Sequence, residues 1–177
     1  MLRQPTALWF TGLPGSGKST LAARMAQGLA GVGWEVEVLD GDEVRRELSP
    51  ELGFSRADRD LNVHRIGVLG RLLQRHRVAP ICAVVSPYEA SRARAVAGLQ
   101  GCVLVYCTCS MDTLVARDPK GLYARALRGE ISNLTGVSDP YEPPENPHLE
   151  LHTDRESVEQ CCARIVACLA EVGALSE

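Results

Sequence analysis

The chain has 177 residues, a length typical of one globular domain, and 45% of them are hydrophobic, a normal share for a protein with a buried core. Its formal net charge of −3 excludes a broad basic surface for nucleic acid or anionic lipid, so any anion site must be local. No apolar run approaches the roughly 18 residues that span a bilayer. Residues 1–6 are too few for a signal peptide, so we expect a cytoplasmic protein with no membrane partner.

Strand-like apolar runs alternate with helical patterns along the chain. The first strand is predicted over Ala7–Thr11, and a glycine-rich loop and a helix over about Lys18–Leu29 follow it at once. Ser55 and Asp58 have capping-box spacing and open a long helix, and a final helix begins at about Arg155. The other predicted strands are Val36–Leu39, Pro80–Val85, Val103–Cys107 and Leu149–His152. This alternation predicts an α/β fold, with a mostly parallel sheet and helices on both faces.

One stretch, residues 118–147, differs from the rest and is called the lid segment below. It is rich in glycine, proline and charge and has little core-forming material. We predict a mobile lid or an ordered excursion within a single domain of residues 1–177, and not a second domain.

Two residue types have informative counts. The chain has 17 Arg and only two Lys, Lys18 and Lys120, and both lysines fall inside motif-like segments. It also has seven cysteines, an odd number with no CxxC pair, and most lie in apolar runs. Reduced, buried thiols are the simplest interpretation, with disulfides or a zinc site as the alternatives.

The segment GLPGSGKST, called the P-loop below, satisfies the full phosphate-loop pattern and stands between a predicted strand and a predicted helix. Its glycines let backbone N–H groups surround phosphate oxygens at a helix N-terminus. Lys18 should reach the β- and γ-phosphates, and the Ser19 hydroxyl should ligate Mg²⁺. We therefore predict a P-loop NTPase-type fold that binds ATP with Mg²⁺ through Gly12, Leu13, Pro14, Gly15, Ser16, Gly17, Lys18, Ser19 and Thr20.

Further motifs separate kinases from other P-loop proteins. A GTPase would need Asn-Lys-x-Asp, and neither lysine follows an asparagine; the strand ending in Asp-Glu that is usual in motor ATPases is also absent. The second predicted strand ends at Asp40-Gly41-Asp42, where a carboxylate can hold metal-bound water or accept a hydroxyl proton, or where a polar turn can simply cap a helix. Ligands bind outside the carboxyl ends of parallel strands, so the P-loop, residues 40–42 and Ser86-Pro87-Tyr88 should form one site.

A basic helix face is predicted close to that site. Arg59, Asn62 and Arg65 are three residues apart, so they share a face that would suit an anionic second substrate. Phe54 lies in the preceding loop, where its ring could stack on a base. The alternatives are a solvated helix face and an aromatic residue that only anchors the loop.

These motifs together resemble the adenylyl-sulfate kinase family, which phosphorylates the 3′-hydroxyl of adenosine 5′-phosphosulfate (APS). The matching segments are GLPGSGKST at 12, LDGDEVR at 39, LGFSRADRDLN at 52, VSPY at 85, RDPKGLYARALRGEI at 117 and TGVSDPYEPPENP at 135. The resemblance implies a homodimer that takes ATP and APS, and it leaves room for a functional link to an ATP sulfurylase. Relatives that act on another nucleotide or small alcohol, or that bind nucleotide with little turnover, are the alternatives.

The resemblance also implies roles for individual residues. The implied catalytic residues are Lys18, Asp40, Asp42, Ser86 and Lys120, and the implied metal ligands are Ser19 and Asp40. The implied APS contacts are Asp42, Arg45, Phe54, Arg59, Asn62, Ser86, Lys120, Leu134 and Thr135. Ser86 matches a serine often described as a phosphoenzyme intermediate in the family. We expect it to contact substrate instead, because P-loop kinases use direct in-line transfer and no activating base stands near it in sequence.

The chain departs from the family at one position. The family usually has Phe-Thr-Gly where this chain has Leu134-Thr135-Gly136, and that phenylalanine stacks on the substrate adenine opposite the ring that matches Phe54. Leucine offers apolar surface but no π-face, so the resemblance implies weaker APS affinity than in typical relatives.

Overall fold

The computed structural model describes residues 5–118 and 120–175. Five strands form one parallel sheet in the order β2-β3-β1-β4-β5. The strands are β1 Ala7–Thr11, β2 Val36–Asp40, β3 Ala79–Ala83, β4 Cys102–Thr108 and β5 Leu149–His152. The helices are α1 Lys18–Gly31, α2 Gly41–Leu48, α3 Arg56–Arg75, α4 Glu89–Ala97, α5 Met111–Arg117, α6 Leu122–Leu127 and α7 Val158–Glu171. The predicted α/β fold with a parallel sheet is confirmed.

The central strand β1 is buried on both faces of the sheet. Leu8 and Phe10 pack with α1 and α7 on one face, and Ala7 and Trp9 pack with α3 and α4 on the other. Successive strand residues point to opposite faces, so an unbroken apolar run is what a doubly covered strand requires. Because the strand is held on both sides, the P-loop that follows it starts from a fixed position.

Most predicted elements agree with the structure within two residues, and α7 is the exception. It begins at Val158 and not at about Arg155, because Ser157 and Gln160 form a complete capping box there. Ser55 caps α3 as predicted, by accepting from the Asp58 amide. The sequence patterns did not indicate the shorter helices α4, α5 and α6, and they indicated α2 only through the alternative of a helix cap at residues 40–42. Within the described part of the chain, no helix is long and apolar enough to cross a membrane.

The cysteines mostly follow the prediction of buried thiols. Cys82, Cys107, Cys161 and Cys168 are buried, and the remaining three are half-buried. Burial raises the pKa of Cys102 and of Cys107 to about 12, so both thiols stay protonated at neutral pH.

Candidate active site

One open cleft of about 1150 Å³ lies at the carboxyl ends of the strands. Residues from every predicted group line it, as expected for a parallel sheet. From the P-loop these are Pro14, Gly15, Gly17, Lys18, Ser19 and Thr20; from elsewhere they are Asp40, Asp42, Arg45, Phe54, Arg59, Asn62, Ser86, Lys120, Leu134 and Thr135. Gly12, Leu13 and Ser16 do not line the cleft; Gly12 and Ser16 are buried, and Leu13 is half-buried.

The P-loop is shaped by close packing behind it. Gly12 has φ of 146°, and a Cβ there would lie 2.2 Å from the Cys107 carbonyl oxygen, so only glycine fits. Lys18 is buried, and its Nζ donates to the Leu13 carbonyl at 2.8 Å. Burial lowers the pKa of Lys18 to about 8, although Asp42 and Asp40 partly oppose that shift. A phosphate anion beside Lys18 would favour its charged form.

Asp40 links β2, α2 and the P-loop through its two carboxylate oxygens. Oδ1 accepts from the amides of Asp42 and Glu43 and so caps α2, while Oδ2 accepts from the Ser19 hydroxyl at 2.6 Å. The helix-cap alternative for residues 40–42 is therefore correct for Asp40, and it coexists with a position beside the P-loop. The cap fixes the rotamer of the carboxylate and holds it against Ser19.

Two predicted site residues meet across the cleft. Lys120, in the lid segment, forms an ion pair with Asp42 at the start of α2. Both side chains are mostly exposed, at 61% for Lys120 and 71% for Asp42, so solvent screens the pair and its contribution to stability is small. The pair joins the lid segment to the start of α2 without binding it tightly.

Arg45 and Arg59 surround an exposed aromatic ring. Phe54 is 53% exposed, with the Arg45 and Arg59 guanidinium carbons 5.0 and 5.5 Å from its ring centroid. Burial, and then the charge of Arg59, lowers the pKa of Arg45. Two guanidinium groups held this close repel one another unless an anion lies between or beside them.

The cleft is also lined by two residues whose buried polar atoms have no hydrogen-bond partner among the described residues. These atoms are Asn62 Oδ1 and Thr135 Oγ1. A buried polar atom without a partner costs free energy, so these two atoms are suited to hydrogen bonds with a ligand. Arg65 is different, because it donates to Leu48, Ser49 and Glu51 and does not line the cleft. The prediction that it extends the basic face of the site is wrong.

Leu134 belongs to a small apolar cluster through which the lid segment packs against α5. It is 5% exposed and packs with Leu114 and Tyr123. Gly136 follows in a left-handed conformation, with φ of 89°, and a Cβ there would come within 2.5 Å of a Leu13 methyl carbon. The loop around Leu134 therefore lies directly against the P-loop.

Ser86 is a strained and buried residue. Its φ is 39°, a region that non-glycine residues rarely adopt and that costs about 1–3 kcal/mol. The residue is 1% exposed, and its hydroxyl accepts from Trp9 Nε1 at 3.2 Å and donates to Thr11 Oγ1 at 3.1 Å. The hydroxyl is thus hydrogen-bonded within the protein, and the residue also lines the cleft.

Comparison with known proteins identifies the family. The adenylylsulphate kinase family model matches residues 4–152. The chain belongs to the adenylylsulphate kinase family. An adenylyl-sulfate kinase of Chloroflexus aurantiacus is 48% identical over 167 residues, which cover 94% of this chain and 90% of that protein. The structure of a Mycobacterium tuberculosis APS kinase in complex with AMPPNP and APS matches with a TM-score of 0.89 at 37% identity, and covers 95% of this chain and 99% of that one.

One relative in this adenylylsulphate kinase family is much longer. A probable bifunctional SAT/APS kinase of Sorangium cellulosum is 49% identical over 166 residues, and the chain spans 29% of that protein's length. The family resemblance inferred from the motifs is confirmed.

Some residues of the cleft escaped the motif analysis. Thr153 follows β5, and its hydroxyl donates to the Ser16 carbonyl at 3.1 Å. Arg117 donates to Thr153 through both terminal nitrogens, at 3.1 and 2.6 Å. Both residues line the cleft beside the P-loop. The rule that ligands lie at the carboxyl ends of strands could have indicated Thr153, since it follows a predicted strand directly.

Arg92 is expected to be important for stability. Its side chain is fully buried and donates to the carbonyls of Ser86, at 2.6 Å, and Glu142, at 2.7 Å. Arg92→Met should lower the free energy of unfolding by about 2 kcal/mol, because the Ser86 and Glu142 carbonyls lose their donor and the ion pair with Glu89 is lost. Arg94→Met, on the exposed side of the same helix, should change it by less than about 0.5 kcal/mol. Urea unfolding of the three proteins measures both values, and equal losses would contradict this role for Arg92.

Proposed function

We propose that the chain is an ATP-dependent adenylyl-sulfate kinase. It transfers the γ-phosphoryl group of ATP to the 3′-hydroxyl of APS, giving ADP and 3′-phosphoadenosine 5′-phosphosulfate, as in sulfate assimilation. The observation that carries this proposal is the single cleft that unites the P-loop with the wall around Phe54. Its volume of about 1150 Å³ exceeds the roughly 300–1,000 Å³ of typical small-molecule sites and can accommodate two nucleotides.

The donor half of the site is the P-loop. Lys18 would exchange its contact with the Leu13 carbonyl for the β- and γ-phosphates, whose negative charge would oppose the lowering of its pKa by burial. Arg117 and Thr153 line the cleft beside the loop and would contact the parts of ATP that extend beyond the phosphates. Backbone amides of the loop would neutralise phosphate charge without reorganising.

Ser19 and Asp40 would hold Mg²⁺. The donor set fits this ion, because a hydroxyl and a carboxylate oxygen already meet at 2.6 Å and both are hard oxygen ligands. Among the described residues no group of three or more His, Cys, Asp or Glu side chains could form a metal site by itself. This suits Mg²⁺, which takes few protein ligands and completes its shell with water and phosphate. When bound, it would neutralise charge on the transferred group.

The acceptor half is the wall formed by Arg45, Phe54, Arg59 and Asn62. The Phe54 ring would stack on the adenine of APS, and the two guanidinium groups would bind its sulfate and phosphate oxygens. Asn62 Oδ1 would gain the hydrogen bond that it lacks. Thr135 Oγ1, from the loop opposite, would gain one as well.

Asp42 and Lys120 would complete the catalytic set. In the proposed reaction Asp42 accepts the proton of the 3′-hydroxyl or orients that hydroxyl, and Lys120 turns from Asp42 to the transferred phosphoryl group. Ser86 would line the acceptor side without carrying phosphate. The lid segment, as the carrier of Lys120, would close over both substrates.

A coupled ADP-release assay with and without APS tests this function. We expect ADP release to depend on APS and to fall to background when APS is omitted. Release that depends only on another nucleotide or a small alcohol would overturn the choice of acceptor. Tight ATP binding with no release for any acceptor would overturn the assignment as an enzyme.

The affinity for APS should be adjustable at Leu134. Leu134→Phe should lower the KM for APS by roughly fivefold or more, because base–aromatic stacking contributes about 1–3 kcal/mol. Leu134→Met keeps a similar volume without a π-face and should leave the KM unchanged. Thermal unfolding of each variant checks that the cluster with Leu114 and Tyr123 still accepts the new side chain. If Leu134→Phe is folded and neither KM nor kcat/KM for APS changes, this account of the position is wrong.

Three further features belong to this proposal. We infer a homodimer, a cytoplasmic location and a functional link to an ATP sulfurylase, the last supported by the name of the bifunctional relative. Mass measurement of the purified protein in solution tests the first, since a monomer would contradict it.

A further inference from the structure

The hydroxyl of Thr11 joins three separate segments of the chain. Thr11 is fully buried, ends β1 and directly precedes Gly12 of the P-loop. Its Oγ1 donates to the Val85 carbonyl at 2.8 Å and lies 3.0 Å from the Tyr141 hydroxyl. The same oxygen lies 3.1 Å from Ser86 Oγ. The other two segments, residues 85–86 and the segment of Tyr141, lie at least 74 positions from Thr11 in sequence.

The direction of these hydrogen bonds follows from counting protons. A hydroxyl has one proton and two acceptor lone pairs. The Val85 carbonyl can only accept, so it takes the proton of Thr11. Tyr141 must then donate to Thr11. Ser86 Oγ has one proton and two acceptors within reach, Thr11 Oγ1 at 3.1 Å and the Val84 carbonyl at 3.3 Å. Thr11 Oγ1 therefore donates to Val85, accepts from Tyr141 and can accept from Ser86, whose own oxygen accepts from Trp9 Nε1.

Thr11, Ser86 and Tyr141, called the junction below, belong to segments that border different parts of the cleft. Thr11 directly precedes the first residue of the P-loop. Ser86 lines the cleft and has a left-handed backbone conformation, which its surroundings must stabilise. Tyr141 follows the loop that contains Leu134 and Thr135. A shift of Thr11 Oγ1 would therefore move donor-side and acceptor-side residues relative to one another.

Other contacts hold the same segments together more coarsely. Arg92 donates to the Ser86 and Glu142 carbonyls, and the Glu142 amide donates to the Pro87 carbonyl at 2.7 Å. Glu142 Oε2 also accepts from the Glu89 amide and so caps α4. These contacts of Arg92 and Glu142 should hold the segments together when the Thr11 hydroxyl is removed. The hydroxyl therefore contributes to the precise alignment of the segments.

We propose that Thr11 is a positioning residue whose hydroxyl aligns the P-loop, the Ser86 turn and the Tyr141 segment for phosphoryl transfer. This rests on the proposed function, because alignment matters only for a site that brings donor and acceptor together. Well-positioned reactants are worth orders of magnitude in rate, and a misplacement of about 1 Å can cost roughly 100-fold.

Three variants test the junction. Thr11→Val keeps the shape and removes the hydroxyl, and we expect kcat with ATP and APS to fall roughly 10- to 100-fold while the Kd for ATP stays within about threefold. Thr11→Ser restores the hydroxyl and should return kcat to within about threefold of wild type. Tyr141→Phe should lower kcat less than Thr11→Val does. Combining it with Thr11→Val should add no further loss, because both act through one oxygen atom.

The outcomes that overturn the proposal are distinct from failure of the proposed function. An unchanged kcat in Thr11→Val, an equal loss in Thr11→Ser, or additive losses in the double variant would each overturn it. Backbone amide and Trp9 indole resonances, recorded by NMR without substrate, provide a second measurement. Tyr141→Phe should shift the Gly12 and Ser86 amides and the Trp9 indole signal, and no shift would overturn the junction. If wild type fails to phosphorylate APS, the proposed function fails and these resonances still decide the junction.

Discussion

Asp40→Asn is expected to lower kcat by at least roughly 100-fold while changing the free energy of unfolding by less than about 0.5 kcal/mol. Activity and stability should respond differently because the two carboxylate oxygens have different roles. Oδ1 caps α2 through the amides of Asp42 and Glu43, and asparagine caps helices as well as aspartate does. Oδ2 lies beside Ser19, where an amide group removes the negative charge that would face Mg²⁺. Metal-based charge stabilisation is worth several kcal/mol, and about 1.4 kcal/mol corresponds to tenfold in rate.

Asp40→Ala is the matched comparison. Alanine removes both the helix cap and the oxygen beside Ser19. We therefore expect a similar loss of kcat, together with a decrease of about 1 kcal/mol in the free energy of unfolding from the missing cap. Steady-state ADP release and urea unfolding of the same preparations provide both values. If Asp40→Asn keeps more than a tenth of the wild-type kcat, the assignment of Asp40 to the metal is wrong.

Arg59→Met is expected to raise the KM for APS by on the order of 100-fold while the KM for ATP stays within about threefold. The Arg59 guanidinium is nearly buried beside Phe54, and its Nε and Nη2 bind Phe54, Asn133 and Asp139. Nη1 bonds to none of the described residues and would be the donor offered to an anionic oxygen of APS. Hydrogen bonds to charged groups contribute about 1.5–3 kcal/mol each, which sets the expected change.

Arg65→Met supplies the control on the same helix. Arg65 also makes several hydrogen bonds, but to Leu48, Ser49 and Glu51, away from the cleft. Its loss should lower stability without a selective change in the KM for APS. A rise in both KM values for Arg59→Met, or an equal rise in the KM for APS in the two variants, would contradict the acceptor-side role of Arg59.

Local patterns were sufficient to predict β1, the position of the P-loop and the starts of α1 and α3. A continuous apolar run predicted β1, and the P-loop pattern placed Lys18 and Ser19 at the start of α1. Ser55 predicted the start of α3 for the same reason, because the cap and the helix are adjacent in sequence. In each case the residues that fix the structure lie within one or two turns of one another.

Long-range contacts explain what the sequence did not reveal. The start of α4 has no side-chain cap from its own segment, and Glu142 caps it from 53 residues away. Arg59 and Arg65 each lie three residues from Asn62, yet only Arg59 lines the cleft. Arg65 instead donates hydrogen bonds to Ser49 and Glu51. The inward hydroxyl of Ser86 likewise depends on Trp9 and Thr11 in the neighbouring strand.

We propose that the phosphoryl group passes directly between two nucleotides bound in one cleft. The hydroxyl of Ser86 is buried and hydrogen-bonded inside the protein, so a covalent phosphoserine intermediate would require that turn to rearrange. The most direct measurement uses ATP made chiral at its γ-phosphorus with oxygen isotopes, followed by analysis of the phosphate on the 3′-oxygen of the product. A single in-line displacement predicts inversion of configuration at phosphorus. Net retention would show two successive displacements and would contradict direct transfer.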